Sequence, residues 1–379
     1  MQVNQIYAIM NSITNEILGE TGVINEDLTN IVDVGTQLLN ATSVDNYVKS
    51  LVNHVGKVIF VDRVYTGTAS SVIMDGWEYG SILEKISTDL PQATENESWA
   101  LVNGQSYDPN IFYQPEAHAK FYNKRVTFEI PMSFTEKQVK ESFSNATQLN
   151  AFISMIRNSV QKSMTIKLDS LVSRTINAFA AHILDGTGVN KINLLAEYAR
   201  VADVSGIDSV TKAISNPDFI RYATYIISLY SDRLTKMSTL FNVGGTEKFT
   251  PKEMQHLILL SDFAKSSEIF LQSDTYHENL VKLSNFETVP YWQGTATNYD
   301  VEYTSFINAT IGENKTIQQN GIVGVLFDRD ALGVANLDLR VTSNYNPKGE
   351  FFNEWYKMDA GYFIDTNENG IVFYIDTDI

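Results

Sequence analysis

The chain has 379 residues, of which 44% are hydrophobic and 11% aromatic, and this is the composition of a folded protein rather than a disordered one. A net charge of −17 and a pI near 4.7 argue against a general nucleic-acid binder, which would present a basic face. Because the chain has no cysteine, disulfides and thiolate metal sites are excluded, and no apolar run is long enough for a membrane span.

Residues 1–55 are predicted to form a helical arm, because apolar residues recur there every three or four positions. The first twenty residues lack the basic and apolar regions of a signal peptide. Residues 56–132 are predicted to be rich in strand, since the runs KVIFVDRV and AKFYNKRVTFEIPMS nearly alternate apolar and polar residues.

Between those two runs, residues 90–117 are polar and show little periodicity, which is typical of a functional loop or an excursion from the fold. Several large apolar residues nevertheless lie there, among them Trp99, Leu101, Ile111 and Phe112. Apolar groups on such a segment predict contact with another surface, such as a second subunit.

Three basic residues follow the excursion: Lys120, Lys124 and Arg125. They are interpreted either as contacts to acidic patches of a neighbouring subunit or as charges that protect the edge of a sheet.

A long helix is predicted over residues 145–184, because no glycine or proline occurs between Pro131 and Gly186 and one apolar stripe continues throughout. Such a helix would be roughly 60 Å long. Ser133–Glu136 matches a capping box that would open this region, and Gly186 is expected to close the helix in the left-handed conformation.

Residues 190–285 are predicted to be mostly helical, with one helix beginning at Thr250-Pro251. Strands return from residue 286, and a final hairpin is predicted in GYFID-TNENG-IVFYID. Helices and strands are segregated along the chain, which favours an α+β fold.

The segment Asp365–Gly370 also matches the start of a calcium-binding loop, with Asp365, Asn367, Asn369 and Asp376 as candidate metal ligands. The flanking residues have a strand pattern and Asn-Gly is a strong hairpin signal, so the hairpin turn is preferred. We expect no metal and no cofactor.

Other candidate chemistry is also weighed against simpler interpretations. Gly244-Gly245 lacks a phosphate-binding pattern and is interpreted as a loop. No two of the five histidines are three or four positions apart, and His182 is expected to favour the negative end of the long helix. Asp328-Arg329-Asp330 is interpreted as a solvated turn rather than a pair of catalytic carboxylates.

As a whole, this order of elements resembles tailed-bacteriophage major capsid proteins of the Hong Kong 97 type. Runs such as FTPKEMQHLILLSDFAKSSEIFLQSDTYHENLVKL, VPYWQGT and GIVGVLFDRDALGVANLDLRVTSNYNPKGEFFNEWYKMDAGYFID are similar to segments of such proteins from phages of Gram-positive bacteria. The resemblance implies an α+β capsid fold with an N-arm, an extended β E-loop, a spine helix in a peripheral domain and an axial α/β domain. The implied parts are 1–55 (N-arm), 56–132 (E-loop), 133–189 (peripheral domain with the spine helix), 190–325 (axial domain) and 326–379 (returning β region of the peripheral domain).

The resemblance also implies a structural function. It predicts a non-enzymatic subunit that assembles with itself, as pentamers and hexamers, into an icosahedral shell around phage DNA, with only weak contact to the DNA. A separate scaffolding protein and a portal are expected partners, and the virion, made in the host cytoplasm, is the expected location. An encapsulin-like nanocompartment subunit is the alternative, and a carbohydrate-active enzyme or extracellular binding module is the second alternative.

Overall fold

A computed structural model describes residues 67–74, 83–88, 90–91, 93–114, 116–135, 146–272, 286–294, 301–312 and 315–378. All of them belong to one compact unit, Val64–Ile379. The predicted helical arm and the run KVIFVDRV lie outside the described residues. No helix in the described ranges is long and apolar enough to cross a membrane.

Strands and helices are mixed along the described chain. The helices are α1 (Ala146–Asp185), α2 (Leu194–Ala199), α3 (Val210–Ile214), α4 (Pro217–Leu234) and α5 (Ser261–Gln272). The strands are β1 (Ile73–Met74), β2 (Leu83–Thr88), β3 (Ala117–Tyr122), β4 (Arg125–Thr135), β5 (Lys191–Asn193), β6 (Gln255–Leu260), β7 (Phe286–Val289), β8 (Gln293–Gly294), β9 (Val301–Tyr303), β10 (Ile307–Ile311), β11 (Lys315–Gln319), β12 (Ile322–Asp328), β13 (Leu332–Asn346), β14 (Phe351–Ile364) and β15 (Gly370–Tyr374).

The long helix predicted from the sequence is confirmed as α1, which has 40 residues. Its second half is the more deeply packed, with the stripe residues Val172, Ile176 and Phe179 at most 1% exposed. These side chains share one hydrophobic cluster with residues of the sheets beneath the helix. The stripe therefore anchors α1 to the body of the protein.

Both predicted ends of this helix differ from the structure. Ser133 lies in β4 and its hydroxyl is 2.6 Å from the amide oxygen of Asn353 on β14, so the predicted capping box is wrong. The residues up to Thr135 pair with β14 as part of strand β4, and α1 begins only at Ala146. The helix does end before Gly186, whose N–H donates to the Ile183 carbonyl at 3.1 Å, but Gly186 has no positive φ.

A five-stranded mixed sheet, in the order β5-β15-β12-β6-β7, forms the centre of the fold. Ile258 and Val325 point from it into the cluster with α1, whereas Leu259 and Leu326 point into a second cluster with α2, α4 and α5. Strands buried on both faces are continuously apolar, as LILL in β6 and IVGVLF in β12 are.

A second sheet has four strands in the order β1-β13-β14-β4 and is apolar on one face only. Phe128, Ala360 and Tyr362 belong to the cluster that contains α1. On the opposite face, the Thr127 hydroxyl donates to Asp359 at 2.6 Å, and Lys357 and Glu129 form an ion pair of 3.1 Å. This sheet continues the support for α1 beyond the five-stranded sheet.

The region 190–285 contains more strand than the sequence predicts. Thr250-Pro251 does not begin an α-helix, because only a short 3₁₀ turn, Lys252–Met254, precedes strand β6. The predicted C-terminal hairpin is also wrong. β14 pairs with β13 and β4, whereas β15 pairs with β12 and β5, so residues 365–369 connect two different sheets.

Candidate functional site

Strands β2 and β3 form an antiparallel hairpin, paired from Leu83–Tyr122 to Thr88–Ala117, and the predicted excursion lies between them. Its large side chains are exposed, with Trp99 at 98% and Phe112 at 84%. The predicted contact residues Leu101 and Ile111 are also exposed. Exposed apolar groups in such number mark an interaction site more often than a free surface. We call residues 83–122 the hairpin arm.

At the base of the hairpin arm, two lysines contact one carboxylate of the connection between the sheets. The ammonium group of Lys85 on β2 lies 2.9 Å from one carboxylate oxygen of Asp365, and that of Lys120 on β3 lies 2.8 Å from the other. Lys85 also lies 2.6 Å from Glu368, which pairs in addition with Lys248 at 3.0 Å. These five residues form the lysine–carboxylate cluster.

The two carboxylates of this cluster are buried, whereas its lysine side chains are partly exposed. Asp365 is 3% exposed and Glu368 is 8% exposed. Burial by itself would raise the pKa of Asp365, but hydrogen bonds from Lys120 and Lys85 lower that pKa to about 2. Burial likewise acts to lower the pKa of Lys85, and Glu368 and Asp365 outweigh it and raise that pKa. Each partner therefore stabilises the charged form of the other.

An aromatic contact lies beside the cluster. The ring of Tyr122 on β3 packs on Phe363 of β14, with 5.3 Å between the ring centroids. Burial and the neighbouring carboxylates of Asp365 and Glu368 raise the pKa of the Tyr122 hydroxyl. The base of the hairpin arm thus rests on the body through two ammonium groups and one ring.

Buried hydrogen bonds stabilise the connection 365–369, which contains the two carboxylates of the cluster. The Thr250 hydroxyl donates to Asp328 at 2.6 Å and accepts from the amide of Asn369 at 3.2 Å. Asp328 is 5% exposed and burial raises its pKa, so its interpretation as a solvated turn residue is wrong. Its carboxylate caps the turn by accepting from the N–H of Asp330 at 2.9 Å.

A family model for the Phi29-like phage major capsid protein matches residues 10–374. The chain belongs to this family. It is therefore a phage major capsid protein, a structural subunit that forms a shell with other copies, and this confirms the capsid resemblance of the sequence. The two alternatives, a nanocompartment subunit and a carbohydrate-active or binding protein, are not favoured. No match was found among curated proteins.

Several solved phage structures are similar to this capsid protein. A capsid structure of Staphylococcus phage Andhra is 8% identical with a TM-score of 0.58, covering 85% of this chain and 87% of that one. A capsid structure of cyanophage P-SCSP1u is 12% identical with a TM-score of 0.47 (85% and 91%). A structure of Mycobacterium phage Che8 is 8% identical with a TM-score of 0.43 (84% and 95%). At 8% identity, the likeness to the Andhra structure concerns the fold alone.

In this capsid protein the predicted basic contact residues have different environments. Lys120 binds Asp365 of its own chain, whereas Lys124 and Arg125 are exposed where the hairpin arm joins β4. Lys85 and Glu368 were not predicted. Their sequence spacing carries no signal, since Lys85 and Glu368 are 283 positions apart.

The four candidate calcium ligands of this capsid protein serve other partners. Asp365 binds two lysines, the Asn369 amide donates to Thr250, and Asp376 accepts from the N–H of Asp378. Asn367 packs its amide oxygen where a Cβ of Gly244 would lie. Among the described residues, no group of three histidine or acidic side chains has the arrangement of a metal site.

The structure also places His182 and the pair Gly244-Gly245. His182 lies in the last turn of α1, as expected, but burial and nearby Lys124 lower its pKa and outweigh Asp185. Gly244-Gly245 lies in a loop, where the N–H groups of Val243 and Gly244 both donate to the Thr366 carbonyl. Neither position brings catalytic groups together.

Proposed function

We propose that copies of this chain form an icosahedral shell around packaged phage DNA, and that the hairpin arm lies on a neighbouring subunit. The exposure of Trp99 and Phe112 carries this proposal. The arm has no buried residue along either strand, so its apolar side chains have no core of their own. A neighbour that covers them would remove that apolar surface from water.

The arrangement of the sheets supports an assignment of the parts of the shell subunit. In our assignment, the hairpin arm corresponds to the E-loop, and α1 is the spine helix of a peripheral domain built with β4, β13 and β14. The five-stranded sheet with α2–α5 corresponds to the axial domain. The pairing of β15 with β12 and β5 supports assigning β15 to the axial domain rather than to the returning peripheral strands.

The expected partners are other copies of the chain, a separate scaffolding protein and a portal, with the subunit made in the host cytoplasm. The excess of acidic residues supports the proposal that contact with DNA is only weak, because negative side chains repel the phosphate backbone. The residues 1–55 are proposed to act as the N-arm. No catalysis is needed for this function.

Deletion of residues 92–116 behind a short Gly/Ser linker tests the role of the hairpin arm. We expect an unchanged circular dichroism spectrum and melting temperature, because the residues in this range whose burial is described are all exposed. We also expect loss of shells in sedimentation and electron microscopy. The matched control keeps the length of the arm and replaces only polar residues in 93–96. Unfolding of the deletion variant would mean that the segment belongs to the core, and normal shells would refute the subunit contact.

A further inference from the structure

We propose that Lys85 and Lys120 are positioning residues, which use Asp365 as a shared anchor to set the direction of the hairpin arm for assembly. This inference rests on the proposed role of the arm. The inference concerns a different part of the arm. The cluster lies at the base of the arm, whereas the exposed aromatic residues Trp99 and Phe112 lie in the segment between its two strands.

The hairpin arm cannot set its own direction. Neither strand has a buried position, and a two-stranded hairpin is marginally stable in water by itself. Two large apolar residues of the strands, Ile86 and Phe121, are 67% and 64% exposed. The direction of the arm therefore depends on the few side chains that contact the body at its base.

Lys85 and Lys120 are directly opposite each other across the two strands. Like charges in that position repel and destabilise a hairpin unless an anion lies between them. Asp365 supplies that anion and gives one oxygen to each strand, at 2.9 Å and 2.8 Å. Two contacts from two strands to one buried carboxylate restrict rotation of the arm as well as its distance from the body.

The anchor itself is held rigidly. The N–H of Asp365 donates to the Ala331 carbonyl at 2.6 Å, and one oxygen of its carboxylate accepts from the N–H of Asn367 at 3.1 Å. Glu368 supports Lys85 from the same connection. The arm is thus attached to the connection between the two sheets. Its orientation is therefore fixed relative to the body of the subunit.

The absence of cysteine allows a direct measurement of the direction of the arm. Spin labels at Ser98→Cys on the arm and Ser170→Cys on the exposed side of α1 report the distance between arm and body by pulsed electron paramagnetic resonance. We expect a narrow distance distribution in the parent protein and a broad one in Lys85→Gln/Lys120→Gln. Lys265→Gln removes an exposed ion pair on α5 and is the matched control.

Assembly is measured on the same variants without labels, by sedimentation of shells formed in cells. We expect severalfold fewer shells for Lys85→Gln/Lys120→Gln, and recovery in the charge-conserving Lys85→Arg/Lys120→Arg. If the double variant fails to fold, Lys120→Gln alone leaves Lys85 to neutralise Asp365 and serves in its place. An unchanged distance distribution overturns the inference. A broad distribution with normal shells also overturns it, while loss of shells in the 92–116 deletion would still support the contact role of the arm.

Discussion

At the scale of single residues, Asp365 is charged although its side chain is buried. A carboxylate in that position is costly unless hydrogen bonds and opposite charges compensate for the lost water. Two ammonium groups and one backbone N–H do so here. The charge can therefore serve as a fixed point of the fold rather than as a reactive group.

The lowered pKa of Asp365 predicts a specific dependence of stability on pH. A carboxyl whose pKa falls from 3.8 to about 2 on folding contributes stability that is complete above pH 4 and lost as the pH falls toward 2. The contribution is roughly 2 kcal/mol. The pKa of Lys85 is raised, so Lys85 stays protonated throughout this range.

Chemical denaturation of the parent and of Asp365→Asn at several pH values measures this contribution. We expect a large difference in the free energy of unfolding at pH 6 and a small one near pH 2. A difference that is the same at both pH values would contradict the assignment of the lowered pKa to Asp365.

The sequence predicts Gly370 as a turn glycine, but the structure requires glycine there for close packing. Asn369-Gly370 resembles a hairpin turn, but Gly370 has no positive φ and begins β15. A Cβ at this position would lie 2.5 Å from the ring of Phe179 on α1. Glycine is needed for the close approach of helix and strand, which single-sequence patterns do not distinguish from a turn.

At the scale of elements, the sequence predicts α1 better than the strands around it. The repeat of apolar residues every three or four positions, together with the absence of glycine and proline, predicts a long helix without ambiguity. By contrast, the last four residues of β6, LILL, are all apolar because both faces of their sheet are covered. A short apolar run has no period that separates strand from helix, so the sequence predicts helix where β6 lies.

Ile176→Pro tests whether α1 acts as one continuous helix. Ile176 is 1% exposed in the middle of the packed half, and proline there removes a backbone hydrogen bond and clashes with the preceding turn. We expect a loss of about 3 kcal/mol or more in the free energy of unfolding, together with loss of shells. Ile176→Val, which keeps the backbone, is the control and should cost about 1 kcal/mol. Unchanged stability of the proline variant would mean that α1 tolerates a break.

At the scale of the whole molecule, one sheet is shared by both hydrophobic clusters. Ile258 and Val325 face α1, and their neighbours Leu259 and Leu326 face α4. The clusters are therefore expected to unfold together, since neither can lose the sheet without the other.

Leu259→Ala tests this coupling. The residue is fully buried on the α4 side, and its truncation is expected to cost about 2–5 kcal/mol. Hydrogen exchange followed by mass spectrometry should accelerate by the same factor in residues 171–184 of α1 as in α4, although Leu259 belongs to the cluster on the other face. Leu240→Ala, at an exposed position, is the control. Acceleration confined to α4 would show that the two clusters open separately.

The central sheet also has a consequence for the timing of folding. β15 lies between β5 and β12, and the hydrogen bond from Asn190 to Gly370 joins positions 180 apart in the chain. During synthesis, both neighbours of β15 keep an open edge until residue 374 has left the ribosome. Open edges are templates on which nascent chains aggregate, and a shell-forming protein is made in many copies at once. Insertion of β15 between β5 and β12 covers these edges and so removes this route to aggregation.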